Sequence, residues 1–241
     1  NYKGKKIYEL EDVYDINNIL NCIKTYKYDY VLYKYNCEQQ NIIINNTPET
    51  KYVRMIHYID DYIFKLDKVD KTIDILLYGN ISNFYPFRRR VFELIKNSKD
   101  INYYEIPFPG YGDEVNPSLN QPQITGKDLA QIINSSKFTI CTCSSFNYLL
   151  KKYFESALCG SVIIGNIPDR DADIFDNNYI NIDNTMTDEK ILNIIKSSID
   201  NYQSKYIQNI KNNMYEIVKQ NYTYKFGCEK FDKFIDYINS N

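Results

Sequence analysis

The groups in this sequence that can do chemistry are few. Its single histidine, His57, precedes Tyr58-Ile59-Asp60-Asp61. It is either a structural imidazole or a catalytic one, and Asp60 and Asp61 compete for that role. Neighbouring chain positions seldom face one site, so a carboxylate dyad is not supported. The only arginine run is Arg88-Arg89-Arg90. Three successive residues of a helix point in different directions, and Arg88, nearest the predicted helix start, is the candidate phosphate clamp. The alternative is a solvated basic face. Ser144-Ser145 stand between a predicted strand and a predicted helix. They either cap that helix or hold a diphosphate together with its terminal amides, and both can be true. Gly79 ends a strand, where a missing Cβ permits close approach of a phosphate or sugar, or simply makes a turn. Glu155 is either a surface carboxylate paired with Lys151 or Lys152, or a binding one. Asp169–Asp173 holds D-x-D-x-D after Pro168 and reads as a solvated loop. No metal is expected.

The elements that position these residues centre on Lys137–Pro168. Phe138–Cys143 is an apolar, β-branched run. Leu149, Leu150, Tyr153, Phe154, Ala157 and Leu158 then form a helical stripe, with Lys151, Lys152, Glu155 and Ser156 off it. Gly160 stands where a helix needs a left-handed cap, and Val162–Ile164 is a fully apolar strand. Two buried strands joined by a helix imply a right-handed parallel crossover. Ligands of such sheets bind beyond the carboxyl ends of the strands, so Ser144, Ser145, Asn147, Gly165 and Asn166 line a candidate crevice.

The segment from Lys152 to Gly165, KYFESALCGSVIIG, resembles the signature of nucleotide-sugar glycosyltransferases of GT-B architecture. It is similar to the large retaining family and its spore-maturation-protein-like relatives. The resemblance implies that Glu155 accepts hydrogen bonds from the ribose of a nucleotide sugar and that Lys152 lies near its diphosphate. Many members carry a second Glu about eight positions earlier, against the donor sugar; this chain has Asn147 there. The implied activity is hexosyl or pentosyl transfer from a nucleotide-sugar donor to a glycan or protein acceptor. The diphosphate would be held by amides, hydroxyls and a cation, with no metal or other cofactor. Retention at the anomeric carbon would follow from the family alone. The alternative is a non-catalytic nucleotide- or sugar-binding or assembly module that kept the fold.

The whole chain is consistent with this frame. A 44% hydrophobic and 25% charged composition is that of an ordinary globular protein. A formal net charge of -2 argues against a general nucleic-acid or anionic-membrane binder. No apolar run approaches the roughly 18 residues of a transmembrane helix. The six cysteines show no C-x-x-C or Cys/His ligand spacing. They read as free buried thiols in a reducing, cytoplasmic compartment. The abrupt opening NYKGKKIYEL, with no signal-peptide apolar region, suggests a fragment of a longer chain. The 25 tyrosines and the many Asn, Ile and Lys reflect AT-rich codons.

In chain order, Lys6–Leu10, Tyr30–Tyr35, Asn41–Ile44 and Tyr52–Tyr58 are predicted strands, and Asp15–Tyr26 a helix. Residues 1–66 therefore read as a partial, acceptor-side N-terminal α/β region. Residues 67–226 read as a Rossmann-like nucleotide-sugar-binding domain, a doubly wound parallel α/β sheet. Its strands are Ile73–Tyr78, Ile101–Ile106, Phe138–Cys143, Val162–Ile164 and Tyr179–Ile182. Asp60–Asp70 is the expected link. Pro107–Gln123 is a long irregular loop of the kind that is usually functional. Thr187–Gln220 is helical with a break near Tyr202. Residues 227–241 close the chain with a helix whose Phe231, Phe234, Ile235 and Ile238 are expected to face inward onto the N-terminal region.

Overall fold

The computed structural model describes residues 4–108 and 124–240. Most of the loop expected over Pro107–Gln123 lies outside them. The chain builds two parallel sheets. The first is three-stranded, in the order β1 (Ile7–Leu10), β2 (Tyr30–Tyr33), β3 (Lys51–Arg54). The second is five-stranded and doubly wound, in the order β5-β4-β6-β7-β8. Its strands are β4 (Ile73–Tyr78), β5 (Tyr103–Ile106), β6 (Ser136–Cys141), β7 (Val162–Gly165) and β8 (Ile180–Asn181).

The helices are α1 (Ile16–Tyr26), α2 (Glu38–Asn46), α3 (Pro86–Lys96), α4 (Gly126–Asn134), α5 (Lys151–Leu158), α6 (Asp188–Asp200), α7 (Lys205–Asn221) and α8 (Tyr224–Asn239). Local chemistry sets many of their ends. Asp15 caps α1 by accepting from the Asn18 amide. Pro86, with its fixed φ and no N–H to lose, opens α3. Gly160 takes φ +64 just past α5. The break between α6 and α7 falls at residues 201–204, with Ser204 capping α7 through the Ile207 amide.

Two expectations about the elements fail. Asn41–Ile44 is not a strand but the middle of α2. A short apolar run has no period of its own, and here only Gln40 and Ile43 of the helix are buried. The Asp60–Asp70 segment, the expected link, packs against the larger layer. Phe64 is buried in the larger core, and the Asn134 side chain binds the Asp67 amide and the Lys65 carbonyl. Phe231 does not face inward: it is 40% exposed, whereas Phe234 and Ile238 are buried.

The larger core fills the second sheet, and α8 covers one face of the first, with Phe234 edge-on to Tyr30 at 5.2 Å. The two layers are tied where Ile59 bridges Thr223, through Ile59 N–H to Tyr222 O and Tyr224 N–H to Ile59 O. If α8 holds the first sheet through its buried face, Phe234→Ala will cost about 3–5 kcal/mol. Phe231→Ala will cost no more than about 0.5 kcal/mol. Urea titration of the two variants checks this, and equal losses would contradict the packing.

Candidate functional site

Strand order places the site. From β4 the chain crosses to β5 on one side and returns to β6 on the other, so the switch point lies between the carboxyl ends of β4 and β6. Gly79 follows β4 with φ +99, a conformation that L side chains rarely adopt. Thr142, Cys143 and Ser144 follow β6.

Two cations meet at this point. Arg88 shares the buried stripe of α3 with Val91, Phe92 and Ile95 and is 2% exposed. Its guanidinium spans the switch point, donating to Asn80 O (2.9 Å) after β4 and to Thr142 O (2.6 Å) and Oγ1 (3.3 Å) after β6. Its Cζ lies 4.1 Å from the centre of the Tyr85 ring. Arg88 is therefore no part of a solvated basic face. Arg89 and Arg90 turn elsewhere, Arg89 to Ile81 O and Asn83, Arg90 to Asp188 and Met186 O.

Lys152 approaches from α5. It is 6% exposed, and its Nζ donates to Tyr78 O at 2.7 Å. Burial, reinforced by the Arg88 charge, pulls its pKa down to about 7. A Cβ built on Gly79 would meet Arg88 Nη1 at 3.2 Å and Lys152 Nζ at 3.7 Å, so both cations border one spot of bare backbone.

Glu155 lies one turn further along α5. It is not the surface residue that the helical stripe implies: all of Lys152–Leu158 is buried, because α5 lies between the sheet and α7. Its contacts are long for a buried carboxylate. Oε2 is 3.5 Å from the Tyr78 hydroxyl and Oε1 is 3.5 Å from Lys151 Nζ. Burial raises its pKa, against the pull of Lys151.

The serines are placed differently from expectation. Helix α5 starts at Lys151, with Leu150 at its N-cap and no side-chain cap, so neither Ser144 nor Ser145 caps it or adjoins its terminal amides. Instead Ser144 is buried in a turn, its Oγ accepting from the Phe146 amide and its carbonyl from the Asn147 amide. Ser145 is exposed and its amide is held by Phe84 O. Asn147 is exposed with φ +53. Tyr148 of this loop serves the other layer: it is buried in the first sheet's core and stacks on Tyr35 at 3.9 Å, whereas Leu149 is buried in the larger core.

His57 lies just past β3, with its Nε2 buried and unpaired. Burial, with Lys34, Lys151 and Arg54 nearby, lowers its pKa to about 3, which makes it a weak base. Lys151, whose charge is felt by His57, lies 3.5 Å from Glu155 Oε1. Among the residues the sequence pattern did not single out, Thr142 and Tyr78 bind Arg88, Lys152 and Glu155. The Arg88 position on its helical stripe was the available signal. Asp171, expected on a solvated loop, is buried on a 3₁₀ turn, with Oδ1 2.6 Å from Arg54 Nη2.

No protein-family model matches the chain, and no curated protein matches it. Solved structures do. HepE from Anabaena, in complex with UDP and glucose, superposes with a TM-score of 0.71 at 14% identity, covering 96% of this chain and 71% of that one. Sucrose-phosphate synthase from Thermosynechococcus elongatus gives 0.63 at 9% identity, covering 100% and 70%. The pneumococcal O-GlcNAc transferase GtfA, in complex with UDP and GlcNAc, gives 0.57 at 13% identity, covering 93% and 48%. The chain thus spans about half the length of GtfA. It has the fold of GT-B glycosyltransferases.

The cation pair has a pH signature. The folded pKa of Lys152, about 7, lies below its ordinary 10.5. Between those values the unfolded chain binds the extra proton, so this group makes the fold more stable as pH rises, by at most about 1.4 kcal/mol per pH unit. Lys71, lowered to about 8, acts in the same sense. The difference between parent and Lys152→Met isolates Lys152. The stability of the parent, measured by urea titration from pH 7 to 9, should climb more steeply than that of the variant. Parallel curves would show Lys152 to be ordinarily charged.

Proposed function

We propose that the chain binds the diphosphate of a nucleotide sugar at the switch point and transfers the sugar to a glycan or protein acceptor. The observation that carries this reading is the pair of buried cations, Arg88 and Lys152, bordering the bare backbone of Gly79. Neither has a carboxylate in hydrogen-bonding contact among the described residues. A buried positive pair is costly unless an anion completes it. Three of the five guanidinium N–H groups of Arg88 are used by the protein, which leaves it both rigid and able to donate further. The fold supports a nucleotide sugar over another anion, since HepE and GtfA were solved with UDP.

In this reading Gly79 lets the phosphates approach the backbone. Arg88 and Lys152 neutralise them and stabilise the charge that develops on the leaving phosphate as the glycosidic bond breaks. Two fixed cations supply the electrostatics that a metal would otherwise supply, so transfer proceeds in chelator. Glu155, with only long contacts in the protein, accepts the ribose hydroxyls through charge-assisted bonds. Ser145 and Asn147, exposed on the loop after β6, face the sugar side, and His57 contributes a neutral hydrogen-bonding group at the junction of the layers. A second reading, a binding module without turnover, is favoured by Asn147 standing where many similar enzymes carry a carboxylate.

A thermal-shift screen of UDP, GDP and ADP and their sugars tests binding. A ligand at 100 times its Kd adds about 2.7 kcal/mol of apparent stability. Glu155→Gln keeps the shape but loses the charge and one acceptor. The expected result is tenfold to hundredfold weaker nucleotide binding, from about 1.5–3 kcal/mol lost, without loss of fold stability. A 2′,3′-dideoxy nucleotide should bind parent and variant alike. Unchanged affinity in Glu155→Gln would reject the ribose role. Turnover of a sugar nucleotide in EDTA separates the enzyme from the module, and its abolition by EDTA would contradict the metal-free mechanism.

A further inference from the structure

The larger sheet ends in a strand edge with room beside it. Among the described residues β8 pairs with β7 alone. Just past β8, Ile182 N–H donates inward to Gly165 O at 2.9 Å. Peptide groups alternate in direction along a strand, so the N–H and C=O of Asn181 point away from β7. Such an edge is a template for one more strand. Helices flank it on both faces. α6 packs on α3, and α7 on α5. The crossovers through α3 and α5 leave the switch point in opposite directions, so these two helices cover opposite faces of the sheet. The edge of β8 therefore stands in a slot between α6 and the first turn of α7. That slot is a groove of about 790 Å³. Lys190, Asn193, Ile194, Ser197 and Asn201 line it at helical spacing, which gives it one whole face of α6, while Ile191 and Ile195 are buried on the other. Ile180 and Ile207 form its buried apolar floor.

The chemistry of the groove narrows what fits it. Its charged lining residues are Glu189 and Lys190, of opposite sign, so an ionic ligand finds no net complement there. A saccharide needs uncommitted side-chain donors and acceptors, and most of those present are engaged. Thr187 and Ser204 cap α6 and α7, Ser198 donates to Ile194 O, and Asn201 donates to Ser197 O. What remains on offer is the backbone edge of β8 beside an apolar floor, the surface that strand addition uses. The 13 residues of α6 span about 20 Å, the length of about six extended residues. We propose that this groove binds a short, uncharged, extended segment of a partner protein. The segment adds to β8 as a further strand, bonds Asn181 N–H and C=O, and rests alternate apolar side chains on Ile180 and Ile207. The site lies three strands out from β4, about 14 Å, and stands whether or not the switch point takes a nucleotide.

Phage display of hexapeptides on the full chain tests this, with Asn181→Pro as the counter-selection. That change removes the outward N–H and keeps the inward bonds of β8, at the kind of edge position where proline is tolerated. Selected peptides are then synthesised and titrated by fluorescence anisotropy, and UDP is titrated on the same samples. Expected are uncharged peptides with apolar residues at alternate positions. They should bind at least tenfold more weakly to Asn181→Pro and to Asn193→Arg, which fills the groove from an exposed position on α6. UDP affinity should be equal in all three proteins. Asn193→Arg alone carries the comparison if the proline variant misfolds. Backbone N-methylation of the peptide should abolish binding, since it removes the donors of the ladder. A library that yields no peptide able to tell the parent from these variants would overturn the inference. So would maltose or cellobiose shifting the NMR signals of Asn181 and Asn193 where no peptide does. A chain that takes the peptide and ignores UDP would sink the nucleotide reading and leave this groove standing.

Discussion

Arg88 and Lys152 set the terms for the larger layer. An arginine and a lysine are buried side by side where β4 and β6 diverge, and backbone carbonyls, not carboxylates, hold them there. That choice of partner matters. Carbonyl dipoles orient a cation without cancelling its charge, so the site keeps a positive field in a region shielded from water. The surrounding structure is arranged to keep the pair in place. Arg88 lies on the core face of α3, between Phe87 and Val91. Lys152 is carried by a helix buried nearly all round. Gly79 adopts a backbone that few other residues would tolerate, and a side chain there would press on both cations.

The same loops that shape this point join the two layers. The segment after β6 leaves the switch point at Thr142 and Ser144 and then buries Tyr148 among the side chains of the first sheet, where its hydroxyl reaches Asp12. The turn after β7 carries Asp171 to Arg54. The crossing at Ile59 and Thr223 lets α8 leave the larger layer and cover the smaller one. Seating of the first sheet and geometry of the crevice therefore share residues.

What the sequence pattern made legible follows from period and punctuation. Ile73–Tyr78 and Val162–Gly165 are apolar runs bounded by Gly. Pro86, Asp15 and Gly160 mark helix ends by their own backbone chemistry. The burial of Glu155 was not legible, since a polar residue off an apolar stripe reads as exposed, and only tertiary contact with α7 encloses the other face. Helix α2 was misread because three isoleucines in a row suit a strand as well as a helix. The place of the serines was not legible because Leu149 and Leu150 continue the apolar spacing of α5 backwards beyond its first residue, Lys151. Asp171 sits in a charged, Pro-led stretch, and nothing local says that Arg54, 117 positions away, will bury it.

On this view Lys152 is a buried amine which an arriving diphosphate charges. Isothermal titration with UDP at pH 8, in two buffers of different ionisation enthalpy, reads this directly. With a folded pKa of about 7, most of the Lys152 population is neutral at that pH. UDP binding should take up close to one proton per UDP, and both this uptake and most of the affinity should disappear in Lys152→Met. UDP binding with no proton uptake, and with equal affinity in the variant, would contradict it.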